Sequence, residues 1–93
     1  MLFRSDKGLL AAADIVEFEE VHVWNVTRGT RFRTYAMVGA AGSGVVCANG
    51  AAALLVERGD LIIIATFTLI EDGEVEAYRP TIVFVDGRNQ LKK

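Results

Sequence analysis

Hydrophobic and polar positions alternate through the first half of the chain. In "EEVHVWNVT" the polar His22 alternates with Val21 and Val23, and the β-branched and aromatic content reads as a strand. "TRGT" turns the chain, with Gly29 free to take positive φ. "RFRTYAMV" continues as a second strand, so residues 20–38 predict a β-hairpin. Ahead of it, "SDKGLLAAADI" predicts a short helix near 7–13, with Ser5 or Asp6 as its cap. "GAAGSG" (39–44) is a glycine-rich loop and "VVCA" a short strand. In "NGAAALLVERGD", Asn49 can cap, Gly50 allows a sharp turn, and the alanines start a short helix that stops at Gly59. "LIIIATFTLI" predicts an apolar strand buried on both faces. "EDGEVEAYRP" is an acidic turn closed by the only proline, and "TIVFVDGRNQ" predicts a last strand. This inventory is mainly β, with roughly five to seven strands and two or three short helices. Strands this apolar need cover on both faces, which a small barrel with short helices at its ends supplies.

Composition sharpens that picture. A chain of 93 residues predicts one domain, and 52% of its residues are hydrophobic. Its mean hydropathy is +0.31. A small monomer cannot hide that much apolar surface, so a homo-oligomer is expected. The net charge of −2 and the lack of a basic patch argue against nucleic acid as a partner. A lone cysteine, Cys47, permits no intrachain disulfide and fits a cytoplasmic protein. No apolar run approaches the length of a membrane span, and the first residues do not read as a secretory leader.

Candidate chemistry concentrates in "RFRTYAM". Alternation puts Arg31, Arg33 and Tyr35 on one face and Phe32, Thr34 and Ala36 on the other. A solvated strand face explains this, and so does a pocket for a small carboxylate. The pocket needs a second polar element, and the backbone N–H groups at the start of "NGAAA" are one candidate. An arginine fork opposite them would hold a carboxylate, and a neighbouring tyrosine could exchange a proton. "GAAGSG" lacks the lysine of a phosphate-binding loop. One histidine, His22, and one cysteine without spaced acidic partners give no metal site.

"WNVTRGTRFRTYA", "NGAAA", "GDLIIIATF" and "RPTIVFVDGRNQ" resemble, in order and spacing, the pyruvoyl-dependent aspartate 1-decarboxylases, from about Ser5 to the C-terminus. The resemblance implies a double-psi β-barrel, assembled as a tetramer with sites between subunits. It implies that Arg31 binds the substrate carboxylate, that Tyr35 reprotonates the intermediate, and that Thr34 assists self-cleavage. Asn49 and the backbone of Gly50, Ala51 and Ala52 resemble the substrate cradle. Thr34 and Tyr35 cannot both point inward from a regular strand, so a twist or bulge is expected there. In the family, the serine of a Gly-Ser bond becomes the covalent pyruvoyl cofactor. Here that pair aligns with Met1 and Leu2, and leucine cannot form the group. Using Ser5 instead would slide the register by three residues. On this reading the short preceding chain, with the first barrel strands, is a second chain that this sequence does not contain.

Three functions remain open on these residues. One is an aspartate 1-decarboxylase-like lyase that binds a small amino or carboxylic acid. Another is a cofactor-free acid–base enzyme acting on a small carboxylate by isomerisation, elimination or cyclisation. The third is a binding module without chemistry.

Overall fold

The computed structural model describes residues 2–92. Five strands form one sheet: β1 (Leu2–Asp6), β2 (Glu20–Asn25), β3 (Arg31–Gly39), β4 (Val46–Asn49) and β5 (Ile62–Ala65). Their order across the sheet is β4-β1-β3-β2-β5. β1 runs parallel to β3, and the other pairings are antiparallel. One short helix, α1 (Lys7–Ala12), follows β1, and 3₁₀ turns occupy Gly50–Leu54 and Asp72–Glu74. The chain is mainly β, as its pattern predicts, and the sheet is a half-barrel, consistent with a small β-barrel.

The hairpin forms because Val21, Val23, Phe32 and Ala36 share one face and are buried, while Glu20, Arg31, Arg33 and Tyr35 on the other face are exposed. Phe3, Leu10, Ile15 and Ala52 complete the core beneath that face. Gly29 turns the hairpin at φ 77°, a conformation that only glycine adopts without strain.

Asp6, not Ser5, caps α1, and its carboxylate accepts hydrogen bonds from the Gly8 and Leu9 amides. The same carboxylate accepts the Gly42 and Gly44 amides, at 3.2 and 2.7 Å. The glycine-rich loop thus wraps an anion that the chain itself provides. Asn89 and Gln90 donate to the carbonyls of Gly44 and Gly42, which docks the C-terminal turn on the same loop.

β1, for which the sequence pattern predicts no element, forms an interior strand, because β3 and β4 pair with its two edges. Two strand expectations need correction. The apolar run 61–70 is strand only over Ile62–Ala65 and is not buried on both faces; Phe67 and Leu69 are exposed. "TIVFVDGRNQ" forms no regular strand, only a Val85–Leu91 bridge closed by the Asp86–Gln90 turn. In both apolar segments the chain offers no second layer to pack against, so propensity alone does not extend the strands. Among the described residues, no helix is long and apolar enough to cross a membrane.

Candidate functional site

The register lines up a row of candidate residues. Asn49 pairs with Leu2, and Glu20 pairs with Tyr35. Phe3 pairs with Ala36, so one step back along the parallel strands Leu2 lies level with Tyr35. The row therefore crosses four strands as Asn49, Leu2, Tyr35 and Glu20. Neighbouring strands are roughly 4.8 Å apart, so Asn49 and Tyr35 stand about 10 Å apart, on either side of position 2.

The other candidates are less tightly gathered. Arg31 pairs with Trp24, four positions from Tyr35 along β3, or roughly 13 Å. Within one chain it does not meet Tyr35. Arg33 lies between them on the same face and, with Phe18, Glu20, Thr34 and Tyr35, lines a shallow, open depression. Alternation places Arg33 on the face of Arg31 and Tyr35, and the structure keeps it there, exposed and bordering the same depression as Tyr35.

Pairing runs without a slip from Glu20–Tyr35 to Trp24–Arg31, and the bulge lies one step beyond, where Phe18, at φ 72°, and Glu19 both hydrogen-bond Ala36. Thr34 faces the half-buried core side and Tyr35 the outer side. Both still border the depression, which lies at the end of β2 where the chain enters from Phe18.

Asn49 closes β4 in extended geometry, and its side chain makes no cap hydrogen bond, contrary to the capping expectation. Gly50 then turns at φ 68°. The alanines form a five-residue 3₁₀ turn that ends at Leu54, not a helix reaching Gly59. Ala52 is fully buried against the core, backbone included, while Gly50 and Ala51 are exposed. The turn is held from beneath. Thr30 Oγ1 and Asn25 Nδ2 both donate to the Leu55 carbonyl. Asn25 Nδ2 also donates to Asp60, and Arg28 donates to Asp60 and Glu57. These bonds hold the Asp60 carboxyl below its ordinary range, the Asn25 amide first, then the Glu57 amide and Arg28. Asn25 is buried, and the sequence reading missed it; a polar residue ending an otherwise apolar inner row (Val21, Val23) was the available signal.

On the outer face, His22 Nε2 lies 3.7 Å from the Glu20 carboxylate. Its ring meets Phe67 edge-on at 5.0 Å, and Trp24 stands 6.3 Å from the same phenylalanine. Cys47 lies on β4 opposite Arg4. Among the described residues, no group of three His, Cys, Asp or Glu side chains could hold a metal.

This arrangement can bind an anion through exposed guanidinium groups and exchange a proton through Tyr35. The aspartate decarboxylase profile matches residues 4–92. The chain belongs to the aspartate decarboxylase family. It is 59% identical over 86 residues to the aspartate 1-decarboxylase of Myxococcus xanthus, covering 92% of this chain and 66% of that protein. The Chromobacterium violaceum aspartate 1-decarboxylase is 55% identical over 86 residues, or 92% of this chain and 68% of that one. The Legionella pneumophila (strain Lens) protein is 56% identical over 85 residues, with 91% and 64% covered. The chain therefore spans about two thirds of the length of these aspartate decarboxylase relatives.

Proposed function

We propose that the chain is an aspartate 1-decarboxylase-like protein that binds a small amino or carboxylic acid on the outer face of β2 and β3. In this reading Arg31 holds a carboxylate, and Asn49 with the Gly50 and Ala51 backbone cradles the ligand, on a turn anchored by the buried Ala52. Tyr35 and Thr34 are the catalytic positions. The observation that carries the reading is the shared row of Asn49 and Tyr35, on either side of position 2.

The pyruvoyl group, which the resemblance implies, does not fit the residues present. It is made from a serine, and position 2 carries leucine, which has no hydroxyl. Ser5 does not replace it. That residue is buried in mid-β1, with Val38 and Val46 as its register partners on the two sides. No step is therefore assigned to that group. What the residues can do unaided is bind a carboxylate and move a proton at the Tyr35 phenol, and this favours the acid–base enzyme as the second reading.

The assembly belongs to the same proposal. Leu61, Phe67, Leu69, Ile82 and Phe84 are exposed, an apolar surface that copies of the chain would cover in a homo-oligomer, a tetramer by resemblance. A site shared between copies also resolves the distance between Arg31 and Tyr35, because each can come from a different protomer.

Calorimetric titration of the oligomer with L-aspartate tests the reading. Arg31→Ala weakens binding by about tenfold or more, the scale of a lost charge-assisted hydrogen bond. An unchanged affinity would return this face to ordinary solvent.

A further inference from the structure

We propose that Asn25 is a positioning residue for the ligand cradle: its side chain fixes the 50–54 turn, and with it the Gly50 and Ala51 backbone, against the hairpin that carries Arg31 and Tyr35. The inference deepens the reading above and rests on it.

The cradle is not held at its own end. Asn49 makes no side-chain cap bond, and Gly50 turns the chain at φ 68°. Within the turn Ala52 is buried, but Ala51 and Ala53 are exposed and Leu54 is 88% exposed. One buried methyl group removes little apolar area from water. It cannot by itself hold a backbone to the half-ångström or so that a binding site needs. The far end of the turn is fixed instead. Leu55 and Val56 pack on the core. The Leu55 amide donates to the Ala52 carbonyl at 3.0 Å. The Leu55 carbonyl accepts from Asn25 Nδ2 at 3.1 Å and from Thr30 Oγ1 at 2.7 Å.

Asn25 joins that anchor to the hairpin. It is 3% exposed, and both polar atoms of its side chain are used. Oδ1 accepts the Arg28 amide at 3.0 Å, across the hairpin turn, and Nδ2 also donates to Asp60 at 2.8 Å. The Asp60 carboxylate, itself buried, accepts the Glu57 amide and Arg28 Nε as well. The Asn25 amide donates to the Thr30 carbonyl and the Gly29 amide to the Asn25 carbonyl, which closes the hairpin immediately before Arg31. One side chain thus ties together the hairpin turn, the end of the cradle turn and the 57–60 turn. An apolar residue continuing the inner row of Val21 and Val23 would serve packing alone. A buried amide costs stability unless its bonds are made, and here those bonds run to the support of the cradle.

The test measures calorimetric affinity of the full chain for L-aspartate, at a temperature where circular dichroism shows every variant folded. Asn25→Ala lowers the affinity by roughly fivefold, the scale of one lost hydrogen bond. Thr30→Val, a milder change at the same carbonyl, lowers it by roughly twofold, and Thr30→Ser, which keeps the hydroxyl, recovers the loss. A double-mutant cycle with Asn49→Ala supplies the readout that lost stability alone does not move. Positioning makes the Asn25 and Asn49 effects less than additive, whereas independent effects add. If Asn25→Ala does not fold, the same cycle with Thr30→Val decides. A lowered Tm with unchanged affinity, or strictly additive losses, would overturn the proposal. If Arg31→Ala weakens binding while neither Asn25→Ala nor Thr30→Val does, Asn25 is not a positioning residue, yet the carboxylate site stands. If wild type does not bind L-aspartate, both readings fall.

Discussion

The Asp6 carboxylate accepts the Gly44 amide at 2.7 Å, and Gly44 holds φ at 71° to deliver it. This bond links the end of β1 to the glycine-rich loop, and through that loop to the C-terminal turn. It matters for the site because β1 carries position 2 into the row between Asn49 and Tyr35.

Gly44→Ala should therefore destabilise the protein out of proportion to its size. A Cβ at this position would sit 2.5 Å from the Arg88 carbonyl oxygen, and the backbone is already left-handed. The left-handed conformation alone costs about 1–2 kcal/mol for alanine, and the clash adds to it. Thermal unfolding should show Tm lowered by roughly 5–15 °C. Gly42→Ala, also left-handed but with open space around it, should cost less. Equal shifts in the two variants would show that the Arg88 contact is unimportant.

Acid should unfold the protein through Asp6 and Asp60. The Gly44 amide above all, then Gly42, Gly8 and Leu9, hold the Asp6 carboxyl below its ordinary value of 3.8, and Asn25 leads the same effect at Asp60. A carboxyl depressed in the folded state binds its proton more weakly there than in the unfolded chain. Its contribution is complete above pH 3.8 and is lost as pH falls below that value, through the folded pKa. Tm measured between pH 7 and 2.5 should drop most steeply in the acid range. Asp6→Asn and Asp60→Asn should each start lower at pH 7 and fall less steeply. A parallel curve in either variant would remove that residue from the acid response.

The legible parts of this fold are those whose partners lie close in sequence. The β2–β3 hairpin announces itself through Val21, Val23 and Phe32 against Glu20, Arg31 and Arg33, joined by Gly29. α1 is equally plain, because Asp6 caps it three residues before Leu9. β1 was not legible, since its partners in β3 and β4 lie far along the chain, as Phe3 with Ala36 and Leu2 with Asn49, and its own pattern is irregular. The site was half legible. Spacing put Arg31, Arg33 and Tyr35 on one face, but only the register brings Glu20 opposite Tyr35 and Asn49 into the same row. The apolar segments after residue 60 read as buried strands because their composition is that of a core. In the isolated chain they lie open, so their pattern records a surface that folding within one chain does not cover.

That open surface predicts association. Light scattering at micromolar concentration should give a mass several times the 10.1 kDa of one chain, and a tetramer is expected. Phe67→Glu should lower that mass, because Phe67 is 68% exposed on the face shared with His22 and Trp24. A charge buried there without a partner would oppose assembly. A monodisperse monomer in the wild type would defeat this prediction and leave the apolar surface unexplained.

The last prediction concerns chemistry. The 93-residue chain should not release carbon dioxide from aspartate unaided. Decarboxylation of an amino acid needs a group that accepts the electron pair left behind, and no side chain in the row of Asn49, Leu2, Tyr35 and Glu20 is such an acceptor. Tyr35 can donate or take a proton, but a phenol cannot delocalise a carbanion on the substrate. A reaction on this face must therefore be one that carboxylate binding and proton transfer complete together, such as an isomerisation, elimination or cyclisation. In that case Tyr35→Phe should lower kcat and leave calorimetric affinity nearly unchanged, because the ring stays and only the proton-carrying oxygen goes. Arg31→Ala should do the reverse and act mainly on affinity. The two variants thus separate an enzyme from a binding module: if no turnover of any small carboxylate appears and both variants differ only in binding, the face is a receptor. Formation of β-alanine from aspartate by the purified chain, with no added carbonyl cofactor and no second chain, would contradict the argument at its root. It would mean that an electron acceptor arises from the chain itself. Ser5 would then be the residue to examine, and β1 would have to shift by three positions to bring it level with Tyr35 and Asn49.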